Sequence, residues 1–163
     1  WRKIVPDNAF VALGHHRDDR AENLFLRLCR GSNVSGLCSM RSRQRLGQLR
    51  IIRPLLTWTR HDILAFLDTN GVSSWREDSS NANDSFLRNF FRNRVLPLIY
   101  DKIPAARPGI SRSLDVMELD ADFIEKYANI KTAQLAKKTN IELDSLLKLH
   151  PAIRIRVLRS WLG

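Results

Sequence analysis

A short apolar run, one glycine and an amphipathic segment follow one another near the start of the chain. Residues 9–13 (AFVAL) have the length and composition of a buried strand, and Gly14 leads into an apolar-periodic segment that runs to Arg30. The order strand, glycine turn, helix predicts an α/β fold. In open α/β sheets, ligands bind at the carboxyl ends of the strands. We therefore expect a ligand site close to residues 14–22.

The residues after this glycine suggest what kind of site it is. If the helix begins near His15, then His15, Asp19 and Glu22 are spaced i, i+4 and i+7 and share one helical face. An apolar stripe on another face can pack on the sheet. Two alternatives remain open: ordinary helix-end chemistry, because Asp18 and Asp19 lie where the helix dipole favours acids, and a metal site.

The charge of the chain points to a phosphate-rich partner. The 163 residues carry 27 basic and 17 acidic side chains, a net charge of +10, and most of the basic side chains are arginine. From Asn23 to His61 there is no Asp or Glu, yet this stretch holds eight arginines. Arginine binds phosphate through a planar fork, so we predict a surface that faces nucleic acid. The alternative is a solvated basic face without a partner.

Further elements follow from local patterns along the rest of the chain. The first two elements are expected at residues 8–13 (strand) and about 16–30 (helix). After them we predict a turn at 31–36, a basic loop at 37–46 and a strand at 49–53. A helix at 59–70, capped by Thr59 or Thr57, and a polar loop at 75–84 come next. The last element of this part is a helix over 86–97 with Leu87, Phe90, Phe91 and Val95 in the core. On that last helix Arg88 and Arg92 are i and i+4, so they share a face. They could equally pair with Asp84 or meet solvent.

The last third of the chain is expected to be helical. Residues 101–109 contain Pro104 and Pro108 and are predicted to be a linker, which divides the chain into parts 1–100 and 101–163. Beyond it, apolar residues alternate at spacings of four and three, which predicts a long helix with a seam formed by Ile110, Leu114, Met117, Ala121, Ile124 and Ala128. A short helix near 143–149 and a helix opened by Pro151 complete this part.

The start of the chain, its apolar content and its two cysteines indicate what precedes these residues and which compartment the protein occupies. The chain starts at Trp1 and enters a strand almost at once, so we expect protein upstream of it. The sequence has no apolar run long enough to span a bilayer, and Cys29 and Cys38 form no CxxC. We expect a cytoplasmic protein with reduced cysteines.

Six short motifs, taken in order, resemble one known family. They are GHHxDDxAE from Gly14, LxRGS from Leu28, GLxxM from Gly36, RPLL from Arg53, EDxSN from Glu77, and RNxxRxxxLP from Arg88. In this order they resemble the tRNA(Ile)-lysidine synthetases of the PP-loop ATP pyrophosphatase superfamily. The resemblance is good over residues 9–100 and loose beyond. It implies the C-terminal part of a Rossmann-like PP-loop domain, with parallel strands and helices, followed by a small all-helical domain.

The resemblance also implies a reaction. Members of this family are ligases that use ATP and Mg²⁺ to adenylate C2 of the wobble cytidine in an isoleucine tRNA with a CAU anticodon. The side-chain amine of L-lysine then displaces AMP and forms a carbon–nitrogen bond. By resemblance the catalytic residues are His15, Asp19 and Glu22, with no metal ligand assigned. Residues assigned to substrate or tRNA are Arg88, Arg92, Asp78, Asn81, Arg43 and Arg45. A homodimer is an open alternative.

The sequence departs from the family pattern at two places, and two alternative functions remain open. The phosphate-binding SGGxDS loop is absent from these residues, and Asn23 stands where a threonine is usual. We therefore expect the fragment alone to be inactive. One alternative is another PP-loop tRNA-modifying enzyme that performs 2-thiolation, although such enzymes rely on cysteine pairs. The other is a non-catalytic tRNA-binding module.

Overall fold

The computed structural model describes residues 6, 9–76, 78–137 and 140–162. Residue 8, the predicted start of the first strand, and Glu77 of the EDxSN motif lie outside these ranges. Within them the chain forms one small sheet and eight α-helices. The strands are β1 (Phe10–Ala12), β2 (Arg43–Leu46) and β3 (Leu49–Ile52). The α-helices are α1 (Arg17–Cys29), α2 (Val34–Leu37), α3 (Arg60–Thr69), α4 (Leu87–Phe90), α5 (Leu96–Lys102), α6 (Ala106–Leu135), α7 (Leu143–Leu147) and α8 (Pro151–Leu162).

The sheet has the strand order β1-β3-β2 and mixed direction. β1 runs parallel to β3, with Val11 opposite Ile51, and β2 runs antiparallel to β3, with Gln44 also opposite Ile51. The α/β class predicted from the sequence is confirmed. Only the β1–β3 pair has the expected parallel direction.

The predicted basic loop at 37–46 is wrong over its second half, because residues 43–46 form β2. A tight turn at Gly47 connects β2 to β3, and Gly47 has a φ of +60°, which favours glycine. Likewise, the predicted turn at 31–36 contains the start of α2, which Asn33 caps by accepting a hydrogen bond from the Gly36 amide. Both short elements lack the apolar periodicity that marks longer ones.

The predicted helix at 59–70 is confirmed as α3. Thr59 is the N-cap: its hydroxyl accepts from the Asp62 amide at 3.0 Å, and the Asp62 carboxylate accepts from the Thr59 amide at 2.8 Å. This is the reciprocal capping box, which satisfies two donors at the start of the helix.

The predicted helix at 86–97 forms, but its buried face differs from the prediction. Phe91 and Leu96 are buried, whereas Leu87 and Phe90 are largely exposed. The cause is a π-helical turn at Phe91–Val95 between α4 and α5. One extra residue in that turn rotates the face that points inward, so a regular helical period misplaces the core residues.

The predicted linker at 101–109 is wrong as an irregular segment. α5 extends to Lys102 and α6 begins at Ala106, so only residues 103–105 connect the two helices. Pro108 fits inside the first turn of α6 because the first amides of a helix have no intrahelical acceptor. The division into parts 1–100 and 101–163 stays a prediction.

The seam predicted on the long helix is confirmed. Leu114, Ala121 and Ala128 of α6 are buried, and Leu114 and Ala121 form one core cluster with Cys38. Partly buried residues around this cluster come from α1, α2 and α6: Leu24, Val34, Ile110 and Met117. The core therefore joins the long helix to the helices that follow β1.

The short C-terminal helices form where they were predicted. α7 buries Leu146 and α8 buries Val157, and α8 packs along α6. No helix in the described part of the chain combines the length and apolarity needed to cross a bilayer.

We expect Leu114→Ala to lower the free energy of unfolding by about 3–5 kcal/mol, because it removes a buried side chain and leaves a cavity. Leu119→Ala on the same helix is the matched control, since Leu119 is 72% exposed. Its effect should stay within about 0.5 kcal/mol. Urea unfolding measures both, and equal losses would show that α6 is not packed as described.

Candidate active site

The turn after β1 directs the start of α1. The Leu13 amide extends the sheet by donating to the Ile52 carbonyl at 2.9 Å, and the helix begins at Arg17 with His16 as its N-cap. The Asp19 carboxylate accepts a hydrogen bond from the His16 amide at 2.8 Å. His15 therefore lies before the helix, and only Asp19 and Glu22 share the expected helical face.

Asp19 and Glu22 are clamped by two arginines. Asp19 is 5% and Glu22 2% exposed. Arg88 donates to Asp19 at 2.6 Å and to Glu22 at 2.8 Å. Arg92 donates to Asp19 at 3.1 Å and to both oxygens of Glu22 at 2.6 and 3.0 Å. These four residues, the acid–arginine cluster, balance two negative with two positive charges below the surface.

The i, i+4 spacing of the two arginines brings both forks onto the same pair of acids. Neither pairs with Asp84, which accepts instead from Arg94 and Asn93, each at 2.8 Å. Buried Asn89, between the two arginines, donates to the Ser80 and Asn83 carbonyls at 2.7 and 2.9 Å. The polar loop is thereby tied to the segment that carries Arg88 and Arg92.

Asp78 and Asn81 have different surroundings in that loop. Asp78 caps a 3₁₀ turn (Ser79–Ala82) by accepting from the Ser80 amide at 2.9 Å. The Asn81 side-chain oxygen accepts from Arg92 at 3.4 Å, and its backbone carbonyl accepts from Asn93 at 3.1 Å. Asn81 thus borders the acid–arginine cluster, whereas Asp78 shapes the loop.

The surroundings of Asp19 hold it in the ionised form. Burial alone would raise the pKa of Asp19, but the hydrogen bond from the His16 backbone and the charges of His16, Arg88 and Arg92 outweigh it and lower the pKa. The hydrogen bond to Glu22, against the effect of burial, raises the pKa of Arg92. Asp19 and Arg92 are therefore charged near neutral pH.

His15 contacts Arg53, one of the arginines of the acid-free stretch that the sequence predicts to face nucleic acid. Arg53, which is buried, donates from Nε to His15 Nδ1 at 3.2 Å and from Nη1 to the Arg41 carbonyl and to Gln44. Burial and the Arg53 charge lower the pKa of His15, although Asp19 acts in the opposite direction. Because Nδ1 accepts, the neutral ring carries its proton on Nε2 and presents a donor there.

A crevice of about 650 Å³ opens beside the cluster, within the size range of small-ligand sites. Glu22 and Arg92 form part of its wall, and Tyr100 and Arg107 come from α5 and α6. Asp18 orders this wall by accepting from the Arg60 amide at 2.8 Å and from Arg107 at 2.5 Å. The Arg107 guanidinium lies 4.3 Å from the centre of the Tyr100 ring.

Sequence reasoning missed Asp18, Tyr100 and Arg107 as a group, since Arg107 is 89 residues from its partner Asp18. Arg43 and Arg45 lie elsewhere: both are exposed on the edge strand β2. Arg45 is opposite Arg50, whose guanidinium is 5.8 Å from the Phe10 ring centre. The sheet surface is thus separate from the acid–arginine cluster.

The described residues contain no group of three or more His, Cys, Asp or Glu side chains placed to hold a metal ion. The carboxylates of Asp19 and Glu22 are already engaged by arginine. As arranged, this cluster suits hydrogen-bonded recognition of charged groups.

Comparison with known proteins adds an independent finding. A protein-family model described as a PP-loop domain matches residues 3–99. The tRNA(Ile)-lysidine synthase of Coxiella burnetii is 32% identical over 162 residues, which cover 99% of this chain and 36% of that protein. Those of Nitrosomonas europaea and Xanthomonas campestris are each 35% identical, covering 94% of this chain and 34% and 35% of those proteins. The chain spans about a third of the length of these relatives.

We expect Arg92→Ala to lower the free energy of unfolding by about 3 kcal/mol, because it leaves two buried carboxylates with one cation. Arg94→Ala, two residues away, breaks only an exposed pair with Asp84 and should cost under about 1 kcal/mol. Chemical denaturation distinguishes the two. Equal effects would show that the cluster does not stabilise the fold.

A second expectation concerns pH. The pKa of His15 is lowered in the folded chain, so below the unfolded value of 6.5 the unfolded chain binds more protons and stability falls. The loss begins as pH drops through 6.5 and is complete below the folded pKa. The difference between the urea midpoints at neutral and at acidic pH should therefore be smaller in His15→Gln than in wild type. His61→Gln, at an exposed site, is the control and should behave as wild type.

Proposed function

This chain belongs to the PP-loop family, and from that we propose that it is part of a tRNA(Ile)-lysidine synthase. The enzyme would ligate L-lysine to C2 of the wobble cytidine of isoleucine tRNA with a CAU anticodon, through an adenylated intermediate. The observation that carries this proposal is the similarity of nearly the whole chain to proteins of that name, at 30–35% identity. We also infer that the protein acts in the cytoplasm.

The cofactors of the reaction are ATP and Mg²⁺ in this proposal. Membership in the PP-loop family supports ATP. The SGGxDS motif is absent from the 163 residues, so we assign no residue of this chain to the ATP phosphates. Mg²⁺ is commonly held by one or two carboxylates together with substrate phosphates. The described carboxylates of the cluster are bound by arginines, so we assign no metal ligand among them.

The lysine substrate would occupy the crevice beside Glu22 and Arg92. Its two ammonium groups require acidic partners and its carboxylate requires a cation, and the crevice wall presents both, with Asp18 and Asp101 beside Arg60 and Arg107. To reach Asp19 or Glu22, the attacking amine must displace part of an arginine fork. Arg88 and Arg92 are each about a third exposed, so both forks are accessible from solvent.

The catalytic roles follow from the charge states. Lysine's amine has an ordinary pKa of about 10.4 and must lose a proton before it attacks. Asp19 and Glu22 are the anionic groups that can bind the ammonium form and receive that proton. His15 presents a donor at Nε2, so we propose that it orients the substrate and does not act as the base. Arg88, Arg92 and Asn81 would position these acids, while Asp78, Arg43 and Arg45 would contact tRNA.

The thiolation alternative has little support from the cysteines. Cys38 is buried, and its thiol donates to the Val34 carbonyl at 3.0 Å. Burial raises the pKa of Cys38, which disfavours the reactive thiolate. Cys29 is exposed at the end of α1, so the described structure brings no cysteine pair together.

The direct test uses the full-length gene product with isoleucine tRNA, ATP, Mg²⁺ and labelled lysine. We expect ATP-dependent label at the wobble cytidine and a loss of about tenfold or more in Asp19→Asn, since a positioned acid–base group is removed. Asp84→Asn, an exposed acid outside the cluster, should retain wild-type turnover.

Circular dichroism must show that Asp19→Asn is folded. Wild-type turnover in that variant would contradict the role of Asp19. Release of AMP without lysine label would contradict lysine as the nucleophile, and sulfur incorporation would identify a thiolation enzyme. Binding of tRNA without either reaction would identify a binding module.

A further inference from the structure

A second cleft, also of about 650 Å³, lies between the end of α1, the turn before α2, and the facing surfaces of α6 and α8. Three arginines line it: Arg27 of α1 and Arg156 and Arg159 of α8. Glu125 of α6 is the single acidic residue of its described lining. We call this region the arginine cleft. It is separate from the crevice beside the acid–arginine cluster.

Among the described residues, no free acidic side chain compensates the positive charge in the arginine cleft. Glu125 accepts from Arg41 at 3.3 Å, so its charge is already paired. Arg156 donates to the Ala152 carbonyl of its own helix. Arg27 and Arg159 have no hydrogen-bond or ion-pair partner among the described residues. The described lining of the cleft therefore holds three cations and no unpaired anion.

Helix-end electrostatics explain this arrangement only in part. Arg27 and Arg159 each lie in the last turn of a helix, where a cation interacts favourably with the free carbonyls. That effect accounts for each arginine separately. It does not account for two helices, far apart in sequence, delivering arginines to the same cleft.

An independent observation is the hydroxyl of Ser35. Ser35 is one of the residues that line the cleft, and its hydroxyl oxygen is shielded from solvent and has no hydrogen-bond partner among the described residues. A buried hydroxyl without a partner carries an energetic penalty, and rotation of the Ser35 side chain toward an acceptor in the cleft would remove that penalty. Arginine forks together with a hydroxyl donor are typical of a phosphate-binding site.

The wider surroundings favour a phosphate of a polymer over a free anion. Arg27 belongs to the stretch from Asn23 to His61 that contains no acidic residue. Arg27 follows Asp19 by eight residues on α1, a distance of about 12 Å along the helix axis. One nucleic acid can therefore contact both regions at once.

We propose that the arginine cleft binds backbone phosphates of the same tRNA whose wobble base enters the acid–arginine site. This inference rests on the proposed function for the identity of the nucleic acid. The contacts are to phosphate, so they anchor the tRNA without reading its sequence. Arg27 and Arg159 supply the main charge, and Ser35 supplies a neutral donor.

Binding of a fluorescently labelled isoleucine tRNA transcript to this chain, measured over a series of KCl concentrations, tests the proposal. Arg27→Gln and Arg159→Gln should each weaken binding about three- to tenfold. Each should also reduce the slope of log K against log salt by about 0.7 to 0.9, the value for one phosphate contact. The double variant should lose about twice that slope.

Arg112→Gln is the matched control. Arg112 is an exposed arginine of α6, 16 residues before Ala128, and so about 24 Å along the helix from the cleft. We expect it to keep the wild-type slope. Every variant should unfold cooperatively at a temperature close to that of wild type, because Arg27 and Arg159 make no hydrogen bond or ion pair in the described fold and contribute only a small helix-end interaction.

Wild-type slopes in Arg27→Gln and Arg159→Gln would overturn the proposal. So would an equal loss in Arg112→Gln, which would indicate diffuse charge attraction. A third contrary outcome is that the two variants lose binding of inorganic phosphate while tRNA binding is unchanged, since the cleft would then be a site for a small anion.

The same measurements separate this inference from the proposed reaction. If the full-length protein fails to attach lysine but the slopes still fall, the reaction is wrong and the phosphate site stands. If lysine is attached and the slopes do not change, the reaction stands and the cleft is not a tRNA contact.

Discussion

The fold around the candidate site depends on the pairing of two buried carboxylates with two arginines. Asp19 and Glu22 come from the first turns of α1, and Arg88 and Arg92 come from a segment almost seventy residues later. Neither carboxylate could remain buried without a cation, because an unpaired buried charge is far more costly than a paired one. Their mutual neutralisation holds the second segment against α1 and leaves one side of the cluster open to the crevice.

This arrangement also explains why the site is suited to recognising a charged substrate. Every carboxylate oxygen of Asp19 and Glu22 accepts a hydrogen bond, so both side chains are fixed in orientation. In the proposed function, a substrate ammonium would replace an arginine contact that is about a third exposed and would not enter an apolar pocket. Under the proposed function the cluster would couple stability to recognition, because the arginines that neutralise Asp19 and Glu22 would yield partly when the substrate binds.

The arginines of the chain fall into groups with different roles. Of the arginines in the acid-free stretch, Arg53 points inward and holds His15, and Arg41 pairs with Glu125 of α6. Arg27 faces the arginine cleft, while Arg43 and Arg45 stand on the edge strand. Net charge alone predicted a nucleic-acid surface, but only the three-dimensional arrangement separates structural arginines from those available to a partner.

The sequence by itself determined several features that depend on interactions between near neighbours in the chain. These are the strand–turn–helix unit at β1 and α1, the capping box of α3, and the buried seam of α6, because each depends on neighbours within a few residues or on a regular period. The hairpin at Gly47 and the π-helical turn at Phe91–Val95 escaped this reasoning, since neither has a periodic signal. The sequence also marked Asp19, Glu22, Arg88 and Arg92 as candidates. Only the tertiary structure decided that these four residues form one cluster, that Arg53 donates to His15, and that α6 and α8 enclose a cleft with α1. Contacts between residues many tens of positions apart are set by packing of the whole core, so local patterns do not reveal them.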